Sequence, residues 1–221
     1  MVTATRKSRK KTKGKHLNSA HMLNGADDFR PTTDTTFDIE TEPVVAGEKS
    51  ALSAETARLK CIGYYQPATG RFFIAYDDDE AAMLVQFWEA FSSLHAAGRK
   101  FLGFNIFGFD LPFLMRRSWY HGIQIPTTVM TFNGRYFAAT FIDLMALWKC
   151  GEWRAFISLD NLSRCLGVGS KEKDKGQGEY FYLQWEKDRK AAIEYLRNDV
   201  VLVSDAAQKM GLLMACPDST A

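Results

Sequence analysis

The stretch T-T-F-D-I-E-T, residues 35–41, reads as a β-strand with two unlike faces. Side chains alternate across a strand, so Phe37 and Ile39 share one face while Asp38 and Glu40 share the other. Two carboxylates side by side on a mid-sheet strand repel one another and are costly to bury without a counter-charge. No Lys or Arg lies close by in sequence, so two readings stand. Either a divalent cation compensates the pair, or the strand ends there and water does.

Outward from this strand, L-K-C-I-G-Y-Y-Q (59–66) and R-F-F-I-A-Y-D (71–77) form two more strands. Pro67-Ala68-Thr69-Gly70 joins them with turn chemistry. Residues 79–97 carry apolar side chains at helical spacing with acids in the first turn. K-F-L-G-F-N (100–105) is a fourth strand, running directly into a helix over 107–122. T-V-M-T-F (128–132) and R-Y-F-A-A-T-F-I-D-L (135–144) are strand-like around Asn133-Gly134, a hairpin signal. S-L-D-N-L-S-R-C-L-G (158–167) is a short helix with Ser158 as N-cap and Gly167 as stop. Residues 171–178 form a loop, and a long helical stretch from about Glu186 to Leu213, either continuous or broken, closes the chain. Three strands in succession, then strands reached through helices, describe an α/β fold with a mixed sheet of five or six strands flanked by helices. The order alone leaves several α/β folds open.

At 221 residues the chain has room for one domain of ordinary size. No stretch approaches the roughly 18 unbroken apolar residues of a membrane-spanning helix, so a soluble protein without membrane contact is expected. Cys61, Cys150, Cys165 and Cys216 are scattered, with no CxxC pair and no His at ligand spacing. That argues against a zinc site or a disulfide framework and suits a reducing, intracellular setting, cytoplasmic or nucleoid-associated. The net charge of +2 conceals an asymmetry. Residues 1–30 hold eight Lys/Arg against Asp27 and Asp28, a balance of +6, while the other 191 residues carry 20 bases and 24 acids, or −4. Residues 1–33 therefore read as a disordered basic tail, 34–215 as the folded domain and 216–221 as a C-terminal tail. The basic run is open to three readings: a nucleic-acid-binding arm, a targeting signal, or a solubilising extension.

Two further acidic segments matter. Asp110 lies in G-F-N-I-F-G-F-D-L-P-F-L (103–114), where a strand opens into a helix, the usual ligand edge of an α/β sheet. A carboxylate in a first helical turn is also favoured by the helix dipole whatever its role. Tyr195 and Asp199, in I-E-Y-L-R-N-D-V-V (193–201), stand at i and i+4 and share a helix face, either holding a water or forming a surface pair. Taken together, four carboxylates without His or Cys form the hard oxygen set that Mg²⁺ or Mn²⁺ prefers. Two such ions roughly 4 Å apart suit an in-line phosphoryl displacement.

These three segments resemble the three exonuclease motifs of the DEDD superfamily. F-D-I-E-T is similar to motif I, and the segment around Asp110 resembles motif II as found in proofreading domains of family B DNA polymerases. Y-L-R-N-D resembles motif III of the tyrosine subgroup. The histidine subgroup carries His five residues before the last Asp, a position held here by Glu194. F-I-D-L-M-A-L-W-K with S-L-D-N-L-S-R-C-L-G also resembles the segment between motifs II and III of that group. The loop, G-E-Y-F-Y-L-Q-W and motif III resemble small stand-alone relatives, so the likeness runs from about Thr35 to Leu213.

The resemblance implies a ribonuclease H-like fold and a two-metal-ion 3′–5′ exonuclease acting on single-stranded or frayed nucleic acid. In that reading Asp38 bridges both metals, Mg²⁺ or Mn²⁺. Glu40 and Asp199 bind the water-activating ion, and Asp110 binds on the leaving-group side. Tyr195 orients the attacking water, since a phenol of ordinary pKa, about 10, is a poor base at neutral pH. Asn105 and Phe109, with Thr41 as a weaker candidate, match positions that touch the terminal nucleotides. The form of motif II favours DNA over RNA, and a separate polymerase, recombination factor or repair complex stands as a candidate partner. Two alternatives remain: a catalytically inactive nucleic-acid- or protein-binding module on the same fold, and a phosphohydrolase of small nucleotides.

Other residues have less specific readings. Asp143 divides between an outer role at the site and a structural one. Lys171, Lys173 and Lys175 read as a solvated loop that could meet phosphates. His121, beside Gly122, reads as a cap or surface group. Of Phe104, Phe107, Phe109 and Phe113, most belong to the core and one could stack on a base.

Overall fold

The structure, a computed structural model, describes residues 21–23, 29, 31–45, 51–131, 136–152, 154–170 and 180–213. Its strands are β1 (His21–Leu23), β2 (Thr35–Pro43), β3 (Ala57–Gln66), β4 (Arg71–Tyr76), β5 (Phe101–Gly103), β6 (Met130–Thr131), β7 (Tyr136–Phe137) and β8 (Phe141–Asp143). Its helices are α1 (Glu80–Ala96), α2 (Asp110–Tyr120), α3 (Leu144–Trp148), α4 (Leu159–Leu166), α5 (Phe181–Lys187) and α6 (Arg189–Lys209). The main sheet has six strands in the order β1-β4-β3-β2-β5-β8. β2, β3 and β4 form the antiparallel meander, whereas β5 and β8 are reached through helices and run parallel to their neighbours. β2 therefore stands where the antiparallel half meets the parallel half. This is the mixed, helix-flanked sheet of the ribonuclease H-like fold.

The two faces of β2 divide the core. Phe37 and Ile39 pack with Phe87 and Phe91 of α1, Leu111 and Leu114 of α2, and Phe101. On the other face Cys61, Phe72 and Ile74 meet Phe181 and Trp185 of α5 and Ala192, Leu196 and Val200 of α6. Asp38 and Glu40 lie opposite Gly63 and Cys61 of β3, on the α6 face. The pairing slips between Glu40 and Thr41, leaving Lys60 as an extra residue on β3. This bulge reverses the alternation, which is why Leu59 and Cys61, two apart, belong to opposite clusters.

Two contacts seat α6 on the sheet. The Thr36 hydroxyl donates to the Val200 carbonyl at 2.8 Å, and Leu196 fills the space over Gly63. On the far face a polar knot ties α1 to α2. Buried Glu80 accepts from Arg117 Nη2 at 2.6 Å, Arg117 Nε at 2.9 Å and the Leu59 amide at 2.8 Å, and bonds His121 Nε2 at 2.7 Å. His121 is thus both the C-cap of α2 and a partner of Glu80. No described helix is long and apolar enough to cross a membrane.

Several expectations need correction. The tail was expected to lack structure to residue 33, yet His21–Leu23 pairs antiparallel with β4 as the sixth strand. Phe29 is also buried, its ring 4.2 Å from that of Tyr64. Backbone pairing at a sheet edge leaves no side-chain pattern, and so escapes a reading by periodicity. The strand expected over 100–105 stops at Gly103, and a turn over 104–109 separates it from α2. The stretch 135–144 is not one strand: β7 pairs with β6, and β8 joins the main sheet. Asn133-Gly134 lies outside the described residues, as do Lys171, Lys173, Lys175 and Cys216. Helix α3 was not anticipated, and of the two readings of the closing stretch the broken one holds, with the division at Asp188, whose carboxylate accepts from the Ala191 amide at 3.0 Å.

A carboxylate-lined cleft as candidate active site

One cleft of about 330 Å³ opens at the end of β2, between the turn after β5, the start of α4 and the face of α6. Asp38, Glu40, Asp110, Tyr195 and Asp199 all line it, and so do Thr41, Asn105 and Phe109. Three segments distant in sequence are thus brought together. Glu40, Asp110 and Asp199 are buried, while Asp38 and Tyr195 are half-buried.

Each position has a local cause. β5 ends at Gly103, so beyond Thr36 the β2 backbone has no β5 partner. The Ile39 amide instead donates to Asp110 Oδ1 at 3.2 Å, which fixes that carboxylate beside Asp38. The intervening turn is tight. Asn105 adopts φ 60°, a conformation Asn tolerates better than most residues, and a Cβ at Gly108 would come within 2.4 Å of Asn105 Oδ1. Asp143 holds this turn from behind. Its carboxylate accepts from the Asn105 and Phe107 amides at 2.9 Å each, and from Met145 and Ala146 at the start of α3. It does not line the cleft, so its role is to position the turn.

On α6, Tyr195 and Asp199 lie one turn apart and present one face to the cleft. The Tyr195 ring rests 6.1 Å from that of Phe181 on α5. Of the four phenylalanines, Phe104 and Phe109 line the cleft, Phe107 stacks on Phe137 at 5.1 Å and Phe113 is core.

The electrostatics are one-sided. Among the described residues that line the cleft none is Lys, Arg or His. Burial and the charge of Asp38 push the Asp110 carboxyl well above the usual carboxylate range, against the opposing bond from Ile39 N–H. Beneath the cleft, burial and the charges of Glu40 and Asp38 likewise push the Cys61 thiol up. Among the described residues no three acidic, His or Cys side chains close on a single point. Asp110 and Asp38 are nonetheless near enough for the charge of one to act on the other. A wall of oxygen donors with surplus negative charge fits hard divalent cations such as Mg²⁺ or Mn²⁺.

Sequence reasoning missed Ile39, Leu52, Ser158, Leu159 and Val203 as wall residues, and named Phe104 only among four phenylalanines of which one could stack on a base. Ser158 was legible only as a cap, and its Oγ does accept from the Asn161 amide at 3.2 Å. Nothing in the pattern around Leu52 marks it.

The fold is similar to that of a family B DNA polymerase from the hyperthermophilic archaeon Pyrobaculum calidifontis, with a TM-score of 0.61 at 18% identity. That similarity covers 81% of this chain but 24% of the polymerase, so the chain spans about a quarter of that protein's length. No curated protein matches the chain. A family described as a predicted 3′–5′ exonuclease related to the exonuclease domain of PolB matches residues 71–203. The match takes in Asp110, Tyr195 and Asp199 and begins after Asp38 and Glu40, so these two enter the site by geometry. More than half the chain is matched, and it belongs to this family of predicted 3′–5′ exonucleases related to the PolB exonuclease domain.

Proposed function

We propose that the chain is a two-metal-ion-dependent 3′–5′ exonuclease that shortens single-stranded or frayed nucleic acid, DNA in preference to RNA, and releases nucleoside 5′-monophosphates. The observation that carries this reading is the meeting of Asp38, Glu40, Asp110, Tyr195 and Asp199 in one cleft. Family membership supports it over the segment from Arg71 onward.

Asp38, Glu40, Asp110 and Asp199 would hold two divalent ions, Mg²⁺ or Mn²⁺. Such ions, when bound, lower the pKa of a water and neutralise charge gathering on a phosphoryl group. The chain's own residues do the rest. Tyr195 offers a phenolic Oη, donor and acceptor at once, to orient the attacking water beside Asp199. Phe109 offers a ring for the terminal base, and Asn105 offers an amide for its polar edge or sugar. Thr41 is less available for contact, because its hydroxyl already donates to the Ala51 carbonyl. It holds the segment that carries Leu52 against the cleft.

The test is digestion of single-stranded DNA and RNA with Mg²⁺, Mn²⁺ or EDTA. Metal-dependent release of mononucleotides, abolished in Asp38→Ala and Asp199→Ala without loss of fold, is the expected result. Binding without cleavage under either metal would favour a non-catalytic module. An Asp38→Ala/Glu40→Ala double variant that digests as fast as wild type would overturn the site.

A further inference from the structure

With no Lys or Arg among the described residues of its wall, the cleft offers a strand no positive charge beyond the two proposed ions. The further phosphates of a polyanion need cationic contacts too, and these must lie outside the cleft. The segment between α3 and α4 supplies one. Phe156 exposes 74% of its surface and stands two residues before Ser158, the N-cap of α4 and part of the cleft wall. Two residues span at most about 7 Å, so the ring is rooted at the cleft rim. Lys149, the C-cap of α3, places its ammonium 4.2 Å from the centre of that ring. Glu152 and Arg154, exposed on the same loop, offset one another in charge.

Lys149 covers one face of the ring, and the exposure of Phe156 leaves the other face to water. An uncovered aromatic face backed by a cation, at the edge of an acidic cleft, matches a base and its phosphate in both shape and charge. We infer that Phe156 is a stacking platform for a nucleobase upstream of the cleft-bound 3′ nucleotide, with Lys149 pairing a phosphate of the same strand. This rests on the nuclease reading above. It makes the substrate a strand of several nucleotides, because a lone nucleotide in the cleft would not reach the rim.

The test is steady-state digestion of a 5′-labelled thymidine octanucleotide with Mn²⁺ by wild type and by variants of these two residues. Phe156→Ala raises KM roughly tenfold and holds kcat within about twofold, the loss of one stacking contact, while Phe156→Trp restores the wild-type KM. Lys149→Ala lowers the slope of log KM against log salt by about 0.7, the share of one phosphate contact on a single strand. An unchanged KM in Phe156→Ala overturns the inference. So does a parallel fall in kcat, which would mark a structural role, or a failure of Trp to restore binding. Should wild type leave the octanucleotide intact under both Mg²⁺ and Mn²⁺, the nuclease reading fails first and the platform falls with it.

Discussion

Leu196 of α6 packs so closely over Gly63 of β3 that a Cβ built on Gly63 would stand 2.7 Å from its Cγ. Gly63 pairs with Asp38 across the sheet, and Leu196 directly follows Tyr195. One missing side chain therefore sets how near the helix bearing Tyr195 and Asp199 comes to the strand bearing Asp38. Gly63→Ala should lift α6, costing about 1–3 kcal/mol from overpacking and at least tenfold in kcat. Urea melts and single-turnover digestion would check this, and wild-type kcat in the variant would show that α6 accommodates the added methyl group without displacing the site.

Asp110 makes the site costly in the absence of a cation. Its carboxyl is raised by burial and by Asp38, so the native chain binds a proton there more tightly than the unfolded chain does. Native stability therefore falls as pH rises from the ordinary value of 3.8 through the raised one. In EDTA at pH 7.5, Asp110→Asn should melt about 2–4 °C above wild type, the equivalent of about 1 kcal/mol in a chain of this size. Mn²⁺ at the proposed site would compete with protons for these carboxylates, so its stabilisation of wild type should grow from pH 6 to pH 8 and shrink in the variant. Thermal scans with and without Mn²⁺ measure both effects.

Asp143 anchors the turn that presents Asn105 and Phe109. Asp143→Ala leaves four backbone donors without this acceptor and should cost about 3 kcal/mol. Asp143→Asn keeps one acceptor oxygen and should fall between. KM should rise in both, since the turn and not the cleft carboxylates is loosened. Equal stability of Asp143→Ala and wild type in urea would show that the turn holds itself.

The Glu80 knot predicts an acid-limb effect away from the cleft. Burial raises its carboxyl, but the bonds from Arg117, Leu59 and His121 outweigh that and leave it below the usual 4.5. A depressed carboxylate contributes stability above its unfolded pKa and loses it as pH falls through the folded one. Glu80→Gln should be less stable than wild type at pH 7 by about 3–5 kcal/mol, because Arg117 stays buried and unneutralised. The gap should narrow steadily below pH 4.5. Urea melts at pH 7 and pH 3.5 would show it, and a gap independent of pH would mean the ionised carboxylate contributes nothing.

The sequence showed residues whose side chains follow a period or a cap. The alternation in 35–41, the Ser158 and Gly167 ends of α4, and the i, i+4 pair on α6 all stand in the structure where the pattern put them. It concealed whatever depends on backbone or on distant contacts. β1 joins by backbone pairing at the sheet edge, and Lys60 bulges because of its partner strand. The carboxylate of Asp143 spends itself on amides 36 to 38 residues away. Leu52 reaches the cleft through a contact of Thr41 with Ala51 that no local motif announces.

The proposed exonuclease is defined by the end at which the polymer is attacked and by the ions that permit it. The direct measurement follows 5′-end-labelled single-stranded DNA over time with Mn²⁺, resolved by length, beside Asp199→Ala and an EDTA control. Wild type with metal should give labelled products shortening one nucleotide at a time from the 3′ end, and both controls should leave the strand intact. Immediate release of a labelled mononucleotide, cleavage at internal sites, or undiminished digestion by Asp199→Ala would contradict it.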